Sequence, residues 1–305
     1  MTIRVILDTD IGTDVDDCLA LAVLLGSPEL RLEGVTCVYG DVGLRARMVL
    51  KLLRLAGRPD LPVMLGAADP LLRLRPVYWP GHEGVGLLAP DDDLPPPSAE
   101  HAVDYLVRTV MEQPGEIHLL AIGPLTNVAL AFQREPRLAQ RLAHLTIMGG
   151  AIRGPGMLDL PLAEHNIACD PEAAHVVFAA GAPITLVPLD VTMRVMIRRP
   201  ETARLRGVGT PFLDAVADQV ERYPRFVANG ATMLHDPLAV ALIVRPDLAE
   251  WVDLRVDVET QGRLAAATTF ARQPTVEAPG NARVAIGIDV EAAERFISDR
   301  LASVS

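Results

Sequence analysis

Apolar residues in this chain gather into short runs of strand length: Arg4 to Leu7, Leu32 to Val38, Pro62 to Leu65, Ile117 to Ile122, Leu145 to Met148 and Ile184 to Leu189. Between most of them, Leu, Ala and Val recur at helical spacing. Alternation of this kind predicts an α/β fold, a mostly parallel central sheet whose strands are buried and whose two faces are covered by helices. After Asp190 the spacing becomes more helical, predicting helices over Pro200 to Arg206, Phe212 to Asn229 and Pro237 to Val244. Extended segments follow around Leu254 to Glu259 and Val284 to Ile288, with a last helix from Val290. The length of 305 residues alone permits one or two domains, and the even rhythm favours a single domain over residues 1–305. The stretch Ala67 to Pro97, with seven prolines and Gly81, Gly84 and Gly86, interrupts it. A loop this long is either a functional lid, which Tyr78, Trp79 and His82 favour, or a tolerated surface excursion.

In open parallel sheets, ligands bind beyond the carboxyl ends of the strands, and Asp8, Asp10, Asp41, Thr126 and Asp190 all fall at or just past such ends. The densest chemistry is Asp8-Thr9-Asp10-Ile11-Gly12-Thr13-Asp14-Val15-Asp16-Asp17, five aspartates in ten residues between an apolar strand and an apolar helix. Carboxylates so crowded raise one another's pKa unless a positive charge sits among them. One or two could cap the helix, where its dipole favours negative charge. Five exceed that need and point to a hard divalent cation, calcium or magnesium, because no His or Cys stands at zinc-ligand spacing.

Composition narrows the partners. Half the residues are hydrophobic and the formal charge is -11, which excludes a disordered chain and argues against a general nucleic-acid or anionic-membrane binder. Small molecules are the expected partners. Cys18, Cys37 and Cys169 are an odd, widely spaced set in apolar surroundings, which fits a reducing cytoplasm rather than a disulfide framework. Acids by Asp8 leave no room for a signal-peptide apolar region, and no apolar run has membrane-spanning length.

Other motifs are ambiguous singly. His235-Asp236-Pro237 opens an apolar helix with Asp at an N-cap position and Pro at N1, a purely structural role that leaves His235 unexplained. Glu164-His165-Asn166 lies between the Gly154-Pro155-Gly156 loop and a helix start at Asp170-Pro171-Glu172, and taken alone reads as solvated. Gly123-Pro124-Leu125-Thr126-Asn127 reads as a turn and helix cap. His101, His118, His144 and His175 sit singly in helix or strand patterns. Gly149 and Gly150 lack the Gly-Lys-Ser/Thr of a nucleotide cradle, and no Gly-x-Ser-x-Gly elbow occurs.

Taken in order, Asp8-Thr9-Asp10-Ile11-Gly12 with Asp16-Asp17, Gly123-Pro124-Leu125-Thr126-Asn127, Met148-Gly149-Gly150-Ala151, Ala163-Glu164-His165-Asn166 and His235-Asp236-Pro237 resemble the inosine-uridine-preferring nucleoside hydrolase family over almost the whole chain. The resemblance implies a Rossmann-like architecture, a homo-oligomer (dimer or tetramer) and hydrolysis of the N-glycosidic bond of a ribonucleoside. It implies a Ca2+ ion held by Asp10, Asp17, the carbonyl of Thr126 and Asp236, with Asp10 also the general base. Asp16 would bind the ribose 2′-hydroxyl, Glu164 and Asn166 its 5′ and 3′ side, Asp8 would brace the turn, and His235 would protonate the departing base.

Departures from the family's pattern bear on substrate binding. Two residues are inserted in the acidic turn, so Asp14 competes with Asp16 for the ribose; Asp41 stands where many members carry Asn; and no Asn lies in Met157 to Leu160. His82 falls near a family histidine associated with pyrimidine enzymes. The Tyr78 to Gly86 loop and the stretch holding Gln219, Arg222, Tyr223 and Phe226 are expected to wall the base. Two rivals remain. A haloacid-dehalogenase-type phosphatase also places Asp-x-Asp after a first strand but wants Thr or Val at Gly12; a non-catalytic calcium-dependent sugar or nucleoside binder would keep fold and metal without turnover, and an EF-hand would need Gly at Thr13 and Glu at Leu19.

Overall fold

The computed structural model describes residues 2–153, 159–262 and 267–304. In chain order it runs β1 (Ile3–Thr9), α1 (Asp16–Leu25), β2 (Leu30–Cys37), α2 (Val42–Leu55), β3 (Val63–Leu65), α3 (Ala102–Glu112), β4 (Ile117–Ala121), α4 (Thr126–Arg134), β5 (His144–Met148), α5 (His165–Cys169), α6 (Pro171–Ala179), β6 (Ile184–Val187), α7 (Leu189–Thr192), β7 (Met196–Arg198), α8 (Arg199–Val208), α9 (Pro211–Arg222), α10 (Pro224–Asn229), β8 (Ala231–Met233), α11 (His235–Val244), β9 (Ala249–Val258), β10 (Thr269–Arg272), β11 (Ala282–Ile288) and α12 (Val290–Ala302). Gly154, Pro155, Gly156, Met157 and Leu158 lie outside the described residues.

Nine strands form one sheet in the order β10-β9-β11-β6-β5-β4-β1-β2-β3, parallel except at the β9 and β10 edge. The mostly parallel α/β sheet expected from the apolar runs is therefore present. Alternation along β1 sorts the interior into two cores: Val5 and Leu7 pack with α1, α2, α9, α11 and α12, while Ile6 packs with α3, α4 and α6 on the other face. Because β1 lies between β2 and β4, the order of connections reverses beside it, which opens a crevice beyond its carboxyl end. The acidic turn stands at that crevice.

Several local expectations change. Tyr223 is held extended ahead of Pro224, as the residue before a proline is, so Phe212 to Asn229 breaks into α9 and α10. The two-stranded antiparallel β7–β8 sheet and edge strand β10 were not anticipated, since runs of three and four residues are too short to declare a period. Leu234, not Asp236, occupies the N-cap of α11, and Leu125 that of α4, neither with a side-chain cap. Asp236, Thr126 and Asn127 are thus released from capping. Asp170, by contrast, does cap α6, with Pro171 at its first turn.

Helix α1 carries two of the turn aspartates and is fixed at its far end by α12. Gly26, which follows α1 at an ordinary φ of -82°, lies so close to α12 that an added Cβ would run into the Arg300 carbonyl oxygen. Gly26→Ala should therefore lower stability by about 1–3 kcal/mol through overpacking alone. The urea midpoint reads this directly, and an unchanged midpoint would show that α12 yields without cost.

Candidate active site

The turn after β1 reverses at Gly12, whose φ of +113° L side chains rarely adopt, and delivers Asp16 and Asp17 into the first turn of α1. Asp236 is the second residue of α11, which packs along α1. The Asp236 backbone N–H donates to Asp16 Oδ2 at 3.0 Å, tying two helix starts 220 residues apart. Carboxylate oxygens of Asp16, Asp17 and Asp236 all lie within 4.8 Å of one another, and all three residues are buried. Asp17 Oδ1 also accepts from Thr9 Oγ1 at 2.5 Å.

Burial raises the pKa of each of these three carboxyls well above the ordinary range, and like charge adds to it: Asp14 and Asp17 act on Asp16, Asp10 on Asp17, and Asp16 and Asp17 on Asp236. Burial also raises Asp10, opposed by the charges of Arg45 and His165. Asp8 sits one layer deeper, with Oδ1 accepting from Thr36 Oγ1 (2.5 Å) and Asn127 Nδ2 (2.8 Å), and burial pushes its carboxyl up to about 7. A buried, oxygen-only set that repels itself suits a hard cation. The cluster therefore fits the metal expected there; Asp16 belongs to it alongside Asp17 and Asp236.

One functional residue went unnoticed in the sequence. Arg45 is fully buried on α2; its guanidinium donates to the backbone carbonyls of Tyr39 (2.6 Å), Asp10 and Ile11 (2.8 Å) and to Thr13 Oγ1 (2.9 Å), and lies 4.9 Å from the Trp79 ring centroid. It clamps the acidic turn by its carbonyls and supplies positive charge without consuming a carboxylate. The signal was available: Arg45 stands at helical spacing with the buried Met48, Val49 and Leu52, where an apolar residue belongs.

Above the cluster opens a cavity of about 650 Å3. Asp10, Asp14, Asp16, Asp17 and Asp236 line it, together with His82, Glu164, Asn166 and His235. Structure thus brings nine of the eleven expected site residues to one cavity. Thr126 and Asp41 are not among its lining residues: Thr126 Oγ1 donates to Asp170 Oδ2 (2.7 Å), and the exposed Asp41 caps α2 by accepting from Leu44 N (2.8 Å). Asp41 Oδ1 thus caps α2, outside the lining of this cavity.

Glu164 and Asn166 are buried rather than solvated. Glu164 accepts from the backbone N–H groups of Gly150, Asn166 and Ile167, and Asn166 Nδ2 donates to the carbonyls of Ile122 (2.8 Å) and Met148 (3.2 Å), stitching α5 to the ends of β4 and β5. His165 between them faces the cavity and meets Tyr78 edge-on at 5.5 Å. His235 Nδ1 lies 2.8 Å from Thr192 Oγ1, and burial lowers its pKa to about 4. His82 Nε2 lies 3.1 Å from the Thr13 carbonyl, and its ring meets Tyr223 edge-on at 6.2 Å. The Pro-rich loop is therefore part of the cavity wall. Phe226 is not, being buried beneath Arg199. His118 and His144, read as isolated, in fact pair at 5.2 Å on neighbouring strands, on the opposite side of the sheet's length from the cavity.

A mostly parallel sheet with a buried carboxylate cluster at its switch point defines an α/β protein with a candidate metal site, and comparison with known proteins supplies the class. The chain belongs to the inosine-uridine preferring nucleoside hydrolase family, whose model matches residues 5–295. It is 36% identical to a pyrimidine-specific ribonucleoside hydrolase, RihA, of Enterobacter sp. (strain 638), covering 100% of this chain and 99% of that protein. It is also 36% identical to uridine nucleosidase 1 of Arabidopsis thaliana over 85% of this chain and 79% of that protein. Among solved structures, it is similar to the plant nucleoside hydrolase PpNRh1 (TM-score 0.87, 31% identity, 99% of each chain). A purine-preferring ribonucleoside hydrolase from Gardnerella vaginalis is comparable (TM-score 0.86, 30% identity, 99% of this chain and 98% of that one). The chain is a nucleoside hydrolase, and among its described residues no helix is long and apolar enough to cross a membrane.

The raised carboxyls fix a sign for stability against pH. Folded, the cluster holds protons to higher pH than the unfolded chain does, so the folded state binds more protons between the ordinary carboxyl range and the raised values, and stability falls as pH rises through that window. Asp8 adds the same sign up to about 7. Chelator-treated protein should thus melt at a lower temperature at about pH 8 than at about pH 5, and added calcium should raise the melting temperature more at the higher pH. Melting that ignores calcium at both pH values would remove the cation from the cluster.

Proposed function

We propose that this chain, folding as one domain, is a calcium-dependent ribonucleoside hydrolase that releases ribose and a free purine or pyrimidine base. The observation that carries the proposal is the meeting of Asp10, Asp16, Asp17 and Asp236, from both ends of the chain, in one cavity with Glu164 and Asn166. Oxygen-only donors suit calcium or magnesium, and the family resemblance favours calcium. Asp10, Asp17, Asp236 and the Thr126 carbonyl are the proposed ligands, with Asp16 at the boundary between ion and sugar. Such an ion, when bound, supplies a grip on vicinal hydroxyls and greater acidity to a water molecule.

The side chains have their own tasks. Asp10, held by Arg45 through its carbonyl, takes the water's proton as general base. Asp16, or Asp14 beside it, accepts from the ribose 2′-hydroxyl, and Glu164 and Asn166 border the 5′ and 3′ side. The sugar becomes oxocarbenium-like as the glycosidic bond breaks, and carboxylates around it stabilise the positive charge that develops. The departing base needs a proton or hydrogen-bond donor, for which His235, its pKa lowered by burial, is proposed. His82, at the aromatic end of the cavity, is the second candidate. The relatives named above include one called pyrimidine-specific and one called purine-preferring, so both base classes belong in the proposal. A cytoplasmic homo-oligomer completes it.

A panel of nucleosides, nucleotides and p-nitrophenyl phosphate, assayed for free base and for phosphate, separates hydrolase from phosphatase. Base release that chelation abolishes is expected; phosphate release would favour the phosphatase, and binding without turnover the sensor. Asp10→Asn should fold and lose about three or more orders of magnitude in kcat, since it removes both a base and a charged ligand. Near-normal turnover in that variant would take Asp10 out of its role.

A further inference from the structure

Helix α5 presents two groups that the proposed hydrolysis leaves unused. His165 opens the helix and Cys169 closes it, four residues apart and so on one face. The Cys169 sulphur lies 3.6 Å from His165 Nε2 and 3.9 Å from Nδ1. A tetrahedral zinc ion, with bonds of about 2.3 Å to sulphur and about 2.0–2.1 Å to nitrogen, holds two such ligand atoms about 3.6 Å apart. The pair therefore already stands at ligand separation, and a turn of the exposed imidazole aims a nitrogen lone pair at the ion.

The sulphur is also supported from behind. Tyr39 Oη accepts from the Tyr78 backbone N–H at 2.8 Å, which leaves its own proton for the Cys169 sulphur, to which it is hydrogen-bonded. A donor of this kind steadies a thiolate ligand, as outer-shell bonds do at metal centres. Burial beside Val38, Tyr39 and Val77 pushes the free thiol up to about 12, so without a metal the sulphur keeps its proton. The charges of Asp10 and Glu164 oppose a bare thiolate there and attract a cation. Hard and soft donors are thus segregated: carboxylates in the cluster at the head of α1, sulphur and nitrogen on α5.

We propose that His165 and Cys169 form a second metal site, for Zn2+ or another thiophilic divalent cation, on the wall of the active-site cavity, and that its occupancy inhibits turnover. On binding, a sulphur–metal bond replaces the S–H bond and the proton passes to solvent. Two protein donors leave two positions to water, so the ion is exchangeable rather than structural. His165 faces the cavity between Glu164 and Asn166, so a hydrated ion on its ring narrows the wall against which the sugar is held. The inhibition rests on the hydrolase function proposed above; the binding of the metal does not.

Cobalt gives a readout independent of activity. Co2+ added to the calcium-loaded protein should produce a near-ultraviolet thiolate-to-cobalt charge-transfer band, which an oxygen-only cluster does not give, and which Zn2+ displaces and Cys169→Ala abolishes. Cys169→Ser, closer in size, serves the same purpose if the alanine variant does not fold. In excess calcium, Zn2+ should lower kcat/KM of the wild type at least about tenfold and that of the variant less than about twofold. Absence of the band in the wild type overturns the site, as does a band that survives in the variant and so belongs to Cys18 or Cys37. Zinc inhibition that is absent, or equal in both proteins, overturns it as well. No base release from any nucleoside, with the band intact, overturns the hydrolase and leaves the metal site standing.

Discussion

Burying several carboxylates at one point is the constraint around which this protein is organised. Desolvation and mutual repulsion oppose it, and the structure answers with three sources of positive potential. The starts of α1 and α11 converge on the cluster, and Asp236 N–H bonds Asp16. Arg45 brings a full charge within range while bonding to carbonyls, so that the carboxylates keep their lone pairs. What remains unbalanced is a set of raised pKa values, and a cation is the group that would lower them.

That clamp also links the floor of the cavity to its wall. Trp79, from the Pro-rich loop, stacks over the guanidinium that holds the acidic turn, and a Cβ on Gly40 would collide with the indole at 2.6 Å. Tyr78 and His82, its neighbours, reach the cavity itself, where they meet His165 and Tyr223. Tyr223 is there because Pro224 forbids α9 to continue through it. Polar floor and aromatic rim are thus fixed by separate devices, one electrostatic and one conformational. A ligand with a polyhydroxylated half and an aromatic half is matched by such a division.

Most of the sheet was legible because its central parallel strands β1, β4 and β5 are largely buried on both faces and read as apolar runs. The edge was not: β10 has one neighbour and exposes Phe270, so its pattern carries no periodic signal. The acidic turn was legible because its members are contiguous. Helix starts misled, since Asp236 and Thr126 occupy places where a cap is common while Leu234 and Leu125 hold the cap positions. Asp41, an acid past a strand end, is a cap that the sequence alone did not mark as one. Glu164 and Asn166 looked solvated because nothing local shows that the ends of β4 and β5 close over them.

Local pattern therefore determined the elements, the order of strand and helix, and the presence of one turn too acidic to stand without a counter-charge. Family likeness extended that to the identity of distant partners. Only the tertiary structure decided that Asp16 and Asp236 share a hydrogen bond and that Arg45 clamps the carbonyls of the acidic turn. The physical reason is range: propensity and periodicity act over a few residues, whereas these contacts depend on which strands neighbour β1 and on how α1 meets α11, choices made by the packing of the whole core.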